Sequence, residues 1–357
     1  MSNNRVYNFN PGPSTLPLEV LEEVKSGFMN FGGMSIFELS HRSSEFGKIM
    51  DEARALMTEL MEIPKGYHVL FLQGGASGQF AMVPMNLMDK EADYSITGVW
   101  SRKALKEASL IGRGNVVFSS EETKFNRAPR ADDIKLNREA SYLHITTNNT
   151  IYGTQYKELP ATGDIPLVAD MSSDIMSYRT DVSKFGLIYA GAQKNLGPAG
   201  VTIVIIRDDL AKRNYRAVPT TLKYSTHVES GSLFNTPPVF GIYVIWLVLK
   251  LLKKRGGIAQ IEKRNIEKAK MIYDVIDTSD FYKGVADIDS RSNMNVVFNL
   301  PSVELETKFV EKAKAAGMIG LKGHRLLGGI RASIYNAFPV EGAKRLVEFM
   351  NEFEKKA

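Results

Sequence analysis

The sequence predicts an α/β fold in which a mainly parallel sheet is followed by a smaller α+β lobe. Two observations predict it. Short apolar runs rich in β-formers recur at 68–72, 94–100, 116–118, 141–146, 165–169, 187–190 and 201–206, seven in all, and strands buried on both faces read in this way. Helix-period stretches lie between them, and strands alternating with helices build parallel sheets. At 357 residues the chain is long for one domain of roughly 150 residues, so two lobes are expected.

In the first half, Phe46, Ile49, Met50, Ala53, Leu56, Met57 and Leu60 recur at helical spacing, with Ser43 or Ser44 as N-cap. The segment 79–87 reads as a helix that Pro84 should kink, because proline lacks an N–H. The most apolar run, 239–249, is about half of the roughly 20 residues that a bilayer demands, so a buried helix is expected. The texture changes at Gly256-Gly257. Beyond it come a Lys/Glu-rich helix at 258–276, a strand at 294–298, a helix at 304–316, a strand at 329–335 and a last helix with Leu346, Phe349, Met350 and Phe353 on one face. The expected division is therefore a large domain with an N-terminal arm at 1–255 and a small domain at 256–357.

Composition excludes several function classes. With 45 basic against 40 acidic residues the net charge is +5, too mild for a polybasic nucleic-acid binder. There is no cysteine, which removes disulfides, thiolate metal sites, iron–sulfur ligation and any cysteine nucleophile. No apolar leader follows Met1, so a cytoplasmic protein without membrane attachment is expected. P-loop, nucleophile-elbow and zincin motifs are missing, and the five histidines at 41, 68, 144, 227 and 324 lack ligand spacing.

The residues that can carry chemistry follow the predicted strands. Lys194 lies in a turn of small residues between two apolar runs, where desolvation would lower its pKa and supply the neutral amine that attacks an aldehyde. Asp170 closes the run at 165–169, 24 residues earlier. A carboxylate there could face the ring nitrogen of a bound pyridoxal phosphate and keep it protonated. Gln73-Gly74-Gly75-Ala76-Ser77-Gly78 lies between a strand and a helix start, the arrangement that cradles a phosphate on free N–H groups. Trp100 offers a stacking plate and Thr150 a hydroxyl. Each has an ordinary reading too: a surface lysine on a hairpin, a helix N-cap, a simple glycine turn, core packing and turn chemistry. Their arrival at successive strand ends favours one pocket.

Six longer motifs carry a resemblance: Glu-Leu-Ser-His-Arg at 38–42, Ala-Asp-Met-Ser-Ser at 169–173, Tyr-Ala-Gly-Ala-Gln-Lys-Asn at 189–195, Asn-Thr-Pro-Pro at 235–238, Leu-Lys-Gly-His-Arg at 321–325 and Arg-Ala-Ser-Ile-Tyr-Asn at 331–336. On these the chain resembles the phosphoserine aminotransferases, a class V branch of the fold type I pyridoxal-phosphate enzymes. The resemblance implies that Lys194 forms the Schiff base and acts as acid and base in the proton shift. It implies further that Asp170 holds the pyridinium, Trp100 stacks on the ring, Thr150 bonds near its hydroxyl or phosphate, and Ala76, Ser77 and Gln193 bind the phosphate. Asn235 and Thr236 would complete that site from the other subunit of a homodimer.

On the substrate side the resemblance implies glutamate, 2-oxoglutarate, phosphoserine and 3-phosphohydroxypyruvate, and also 4-phosphohydroxythreonine on the route to pyridoxine. All are dianionic, which suits guanidinium forks. Arg331 would take the α-carboxylate, and the pairs His41-Arg42 and His324-Arg325 the distal anion. Taken alone, each arginine reads equally as a surface charge. Two positions depart from the family pattern: Ser77 where many relatives carry arginine, and Pro11 where close relatives carry serine.

Overall fold

The computed structural model describes residues 5–357. Its centre is a seven-stranded sheet formed by β1 (Tyr67–Leu72), β2 (Glu91–Ile96), β3 (Arg113–Ser119), β4 (Leu143–Thr146), β5 (Leu167–Asp170), β6 (Leu187–Gly191) and β7 (Thr202–Arg207), in the order β1-β7-β6-β5-β4-β2-β3. Only β7 runs against its neighbours. The sheet is mainly parallel, as the recurrence of apolar runs implies. Alternate residues face opposite layers: Leu167, Ala169, Ile188 and Ala190 join one core, while Val168, Leu187 and Tyr189 join the other. Both faces are dry, which explains the near-continuous apolar runs.

The helices that cover the sheet begin where their local chemistry allows. The helices α1 (Leu18–Met29) and α2 (Ser44–Leu60) precede the sheet, and Ser43 caps α2 by accepting the N–H of Phe46. The helix α3 (Gly75–Leu87) runs on through Pro84. That proline stands one turn from the end, so the loss of one N–H does not stop it. The helix α4 is Val99–Ala108, and here the sequence reading is corrected. The expected strand at 94–100 stops at Ile96, and Trp100 lies in the first turn of a helix. Ser101 Oγ, facing the N–H groups of Thr97 and Gly98 at 3.1 and 3.2 Å, turns the chain there, and a Cβ on Gly98 would overlap Asn149 Oδ1.

Two helices, α5 (Val239–Lys254) and α6 (Gly257–Thr278), meet at Gly256 and Gly257, whose φ angles of +91° and +70° suit glycine alone. Beyond them α7 (Val303–Ala315) and α8 (Val340–Glu354) pack on a three-stranded sheet of β8 (Lys283–Gly284), β9 (Asn295–Asn299) and β10 (Ile330–Ser333) around a third apolar core. Phe9 belongs to this core, and Tyr7–Asn8 pair with Met318–Ile319, so the chain's start is bound to its last third. Among the described residues no helix is long and apolar enough to cross a membrane.

One buried cation holds the segment after β10. Lys268 on α6 is 1% exposed and donates to the carbonyls of Ile334, Tyr335 and Phe338 at 2.8, 2.7 and 3.2 Å. Burial lowers its pKa to about 7. The substitution Lys268→Met keeps most of the volume and strands these carbonyls. Urea unfolding is expected to show a loss of about 2–4 kcal/mol, since a buried unpaired group costs about 1–3 kcal/mol.

Candidate active site

The C-terminal ends of β1, β2, β4, β5 and β6 open onto one cavity of about 300 Å³, the place where parallel sheets hold ligands. Nine of the sequence-predicted residues line it: Ala76, Ser77, Trp100, Thr150, Asp170, Gln193, Lys194, His324 and Arg331. The other five lie elsewhere in the chain's own surface. Arg42, Asn235 and Arg325 are exposed, whereas His41 and Thr236 line a separate surface pocket with Pro198, Pro237 and Pro238.

Lys194 sits in the turn between β6 and β7, half-buried. Its Nζ donates to Thr150 Oγ1 at 2.6 Å. Removal from water lowers its pKa to about 8; Arg331 pushes in the same direction, while Asp170 and Asp174 oppose. The surface-hairpin reading of this lysine is thereby displaced. At neutral pH a useful fraction is the uncharged amine, the form that attacks a carbonyl.

Asp170 ends β5 at 5% exposure. Burial raises its pKa, and the N–H of Ser172, bonded to Oδ1 at 2.9 Å, and the Ser172 side chain oppose that rise. It caps no helix. Behind it Asp174 is fully buried, accepts from Thr147 Oγ1 at 2.6 Å and Gln155 Nε2 at 3.2 Å, and is raised by burial to about 7.

The glycine turn behaves as an anion cradle should. Gly74 and Gly75 adopt φ of +92° and +65°, which aim the start of α3, with Ala76 and Ser77 in its first turn, into the cavity. The leading N–H groups of a helix lack intrahelical acceptors. Arg331 on β10 is 5% exposed, and no salt bridge to it occurs among the described residues. Its Nε, the indole N–H of Trp100 and the hydroxyl of Thr146 are buried without partners. A planar polar ligand bearing anionic groups is what these atoms fit, because burying them unpaired is costly. His324 is lowered by burial, then by Arg331, Arg325 and Lys103.

The sequence reading passed over several lining residues. Thr146, Asn148, Ser172 and Ser173 line the cavity, as does Gly12, where a Cβ would stand 3.3 Å from Lys194 Cγ. Ser14 secures that N-terminal segment, its N–H donating to Gln193 O at 3.0 Å and its hydroxyl to Lys194 O. Ser172 and Ser173 were legible beside Asp170. The N-terminal segment, 180 residues from its partner, was not.

The family model for class-V aminotransferases matches residues 6–346. A phosphoserine aminotransferase of Desulfotalea psychrophila is 56% identical over 354 residues, covering 98% of each chain. Among solved structures, the phosphoserine aminotransferase of Bacillus circulans subsp. alkalophilus superposes with a TM-score of 0.97 at 51% identity, covering 99% of each chain. The pyridoxal-phosphate-bound phosphoserine aminotransferase of Trichomonas vaginalis does so at 0.93 and 36%, covering 97% of this chain and 100% of that one. The chain belongs to the class-V aminotransferases and is a transaminase with the type I fold of pyridoxal-phosphate enzymes. Within that class it is 51–56% identical over nearly its whole length to phosphoserine aminotransferases.

Trapping Lys194 in the cofactor-free protein with an aldehyde and cyanoborohydride, read by mass spectrometry against pH, should give a midpoint of about 8. The sign follows from the charges: Asp170→Asn removes an anion that favours the ammonium, so the midpoint should move lower still.

Proposed function

We propose that this enzyme moves an amino group reversibly between glutamate and 3-phosphohydroxypyruvate, giving 2-oxoglutarate and O-phosphoserine, with pyridoxal 5'-phosphate as cofactor. The observation that carries the reading is the meeting of a poorly solvated lysine, a buried carboxylate and an unpartnered buried arginine in one cavity. The cofactor would supply an aldehyde and a protonated ring that draws electrons from the substrate's α-carbon. Lys194 would hold its aldehyde and then take and return the α-proton at Nζ. Asp170 would keep a proton on the ring nitrogen, and the start of α3 with Ala76, Ser77 and Gln193 would hold the phosphate. Trp100 would cover the ring face, and Thr150 would steady Lys194 when it is released.

Arg331 would orient the α-carboxylate common to both amino acids. His324 would receive the distal anion, joined by Arg325 and, from a second copy of the chain, by His41 and Arg42. An exposed apolar patch supports a homodimer in which Asn235 and Thr236 also reach the partner's cavity. Phe37 is 55% exposed and stacks on Phe240 at 4.4 Å, with Phe28 and Met29 exposed beside it, and clustered exposed apolar side chains suit an interface. The division into domains at 1–255 and 256–357 is part of this proposal, supported by the glycine pair between α5 and α6. The same reach to a phosphate supports 4-phosphohydroxythreonine as a second amino acid.

Steady-state assays test this reading. Glutamate and phosphoserine should be the paired amino acids, and Arg331→Ala should raise KM for both by about 10- to 100-fold, the worth of a charge-assisted pair. Arg325→Ala should spare alanine, which has no distal anion, and weaken phosphoserine. If alanine rivals glutamate and phosphoserine gives no turnover, the substrate assignment is wrong.

A further inference from the structure

Two consecutive threonines stand at the end of β4, and their hydroxyls meet different fates. That of Thr147 donates to Oδ1 of Asp174, behind the cavity, at 2.6 Å. That of Thr146 faces the other way: the residue lines the cavity at 2% exposure, and its Oγ1 is buried without a hydrogen-bond partner among the described residues. A hydroxyl placed so costs free energy that a valine of nearly the same shape would avoid. The protein side offers it nothing, so its natural partner comes from the cavity side.

The strand register says where on the ligand that partner lies. In the parallel pairing of β4 with β5, Thr146 is level with Asp170, neighbouring strands are about 4.8 Å apart, and both residues line the same cavity. The alternation of the strands agrees. His144, two residues before Thr146, bonds Tyr189 in the core that also holds Val168, two residues before Asp170. Asp170 accepts the N–H of Ser172 through Oδ1 at 2.9 Å, and a carboxylate has about four acceptor positions. It keeps room for both a ring nitrogen and a hydroxyl donor, which a turn of Thr146 about χ1 would bring to it. Donation to an ionised carboxylate is roughly twice as strong as donation to a neutral acceptor. The contact therefore gains strength when a protonated ring nitrogen holds the charge on Asp170.

We propose that Thr146 is a positioning residue for the cofactor, whose hydroxyl donates to the Asp170 carboxylate when a protonated pyridine nitrogen pairs with that carboxylate. The proposal rests on the reading of Asp170 as the partner of the ring nitrogen. Thr146 thereby weakens the empty protein and strengthens the loaded one. A threonine with a merely structural role has the opposite signature, since its loss lowers stability and does not distinguish one ring from another.

The test compares Thr146→Val and Thr146→Ser with the unmodified protein, reading the melting temperature before loading and the affinity on loading. Pyridoxal phosphate is titrated in and followed by its visible absorbance. Its 1-deaza analogue, which keeps the aldehyde and the phosphate but has carbon in place of the ring nitrogen, is titrated in parallel. Thr146→Val should melt higher when empty and bind pyridoxal phosphate about 10- to 100-fold more weakly, the worth of a hydrogen bond to a charged group. Its affinity for the deaza analogue should be unchanged, and Thr146→Ser should bind both ligands as the unmodified protein does. An equal loss for the two ligands, an unaltered affinity for pyridoxal phosphate, or a lower melting temperature of the empty valine variant would overturn the proposal. If the unmodified protein shows no preference for pyridoxal phosphate over the deaza analogue, the assignment of Asp170 itself fails instead.

Discussion

The site depends on keeping one amine out of water while leaving a carboxylate within its field. Desolvation brings Lys194 down towards neutrality, and Asp170 and Asp174 keep it from falling further. Neither effect survives without the sheet. The lysine follows β6 and Asp170 ends β5, and these strands are paired in parallel with Asp170 level with Tyr189. One register places the amine, the acid and the cradle at the same edge. A slip by one residue would turn every side chain to the opposite core, and the alternation of the two cores opposes that slip.

The polar residues around the cavity are arranged on the same principle. Asn148, Asn295, Ser292 and Ser333 are buried and bonded to one another, which joins the floor of the cavity to the strand that carries Arg331. A satisfied buried network specifies one arrangement, because each lost partner leaves a costly orphan. Against that background the unpaired Nε of Arg331 and hydroxyl of Thr146 stand out. Thr146, Trp100 and Arg331 line the cavity, so a ligand there can reach these atoms. Unpaired polar atoms that face an open cavity are what a binding site presents to its ligand.

Much of this was legible in the sequence because the relevant signals are local. Short, near-continuous apolar runs mark the strands, and chemistry-bearing residues follow several of these runs in the sequence as they do in space. The fold class and six cavity residues, Ala76, Ser77, Trp100, Thr150, Asp170 and Lys194, come from that correspondence, while Gln193, His324 and Arg331 come from the family motifs. Trp100 was placed on a strand because Val99 and Trp100 extend a β-rich run; only the capping by Ser101 and the closeness of Gly98 to Asn149 reveal a helix. Gly12 and Lys268 gave no local sign. Their roles arise from contacts with residues far along the chain, and no periodicity encodes such contacts. His41, Arg42, Asn235 and Thr236 are a different case, since within one chain they stand apart from the cavity.

The central claim is that this cavity joins a Schiff-base lysine to a receptor for a phosphorylated amino acid. Its most direct test is a single-turnover half-reaction, in which the cofactor's visible absorption is followed after mixing with O-phosphoserine, with serine and alanine at equal concentration as references. Rapid loss of the band with phosphoserine and slow loss with the other two is the predicted result. Equal rates for all three, or no band in the purified protein after adding pyridoxal phosphate, would contradict the account.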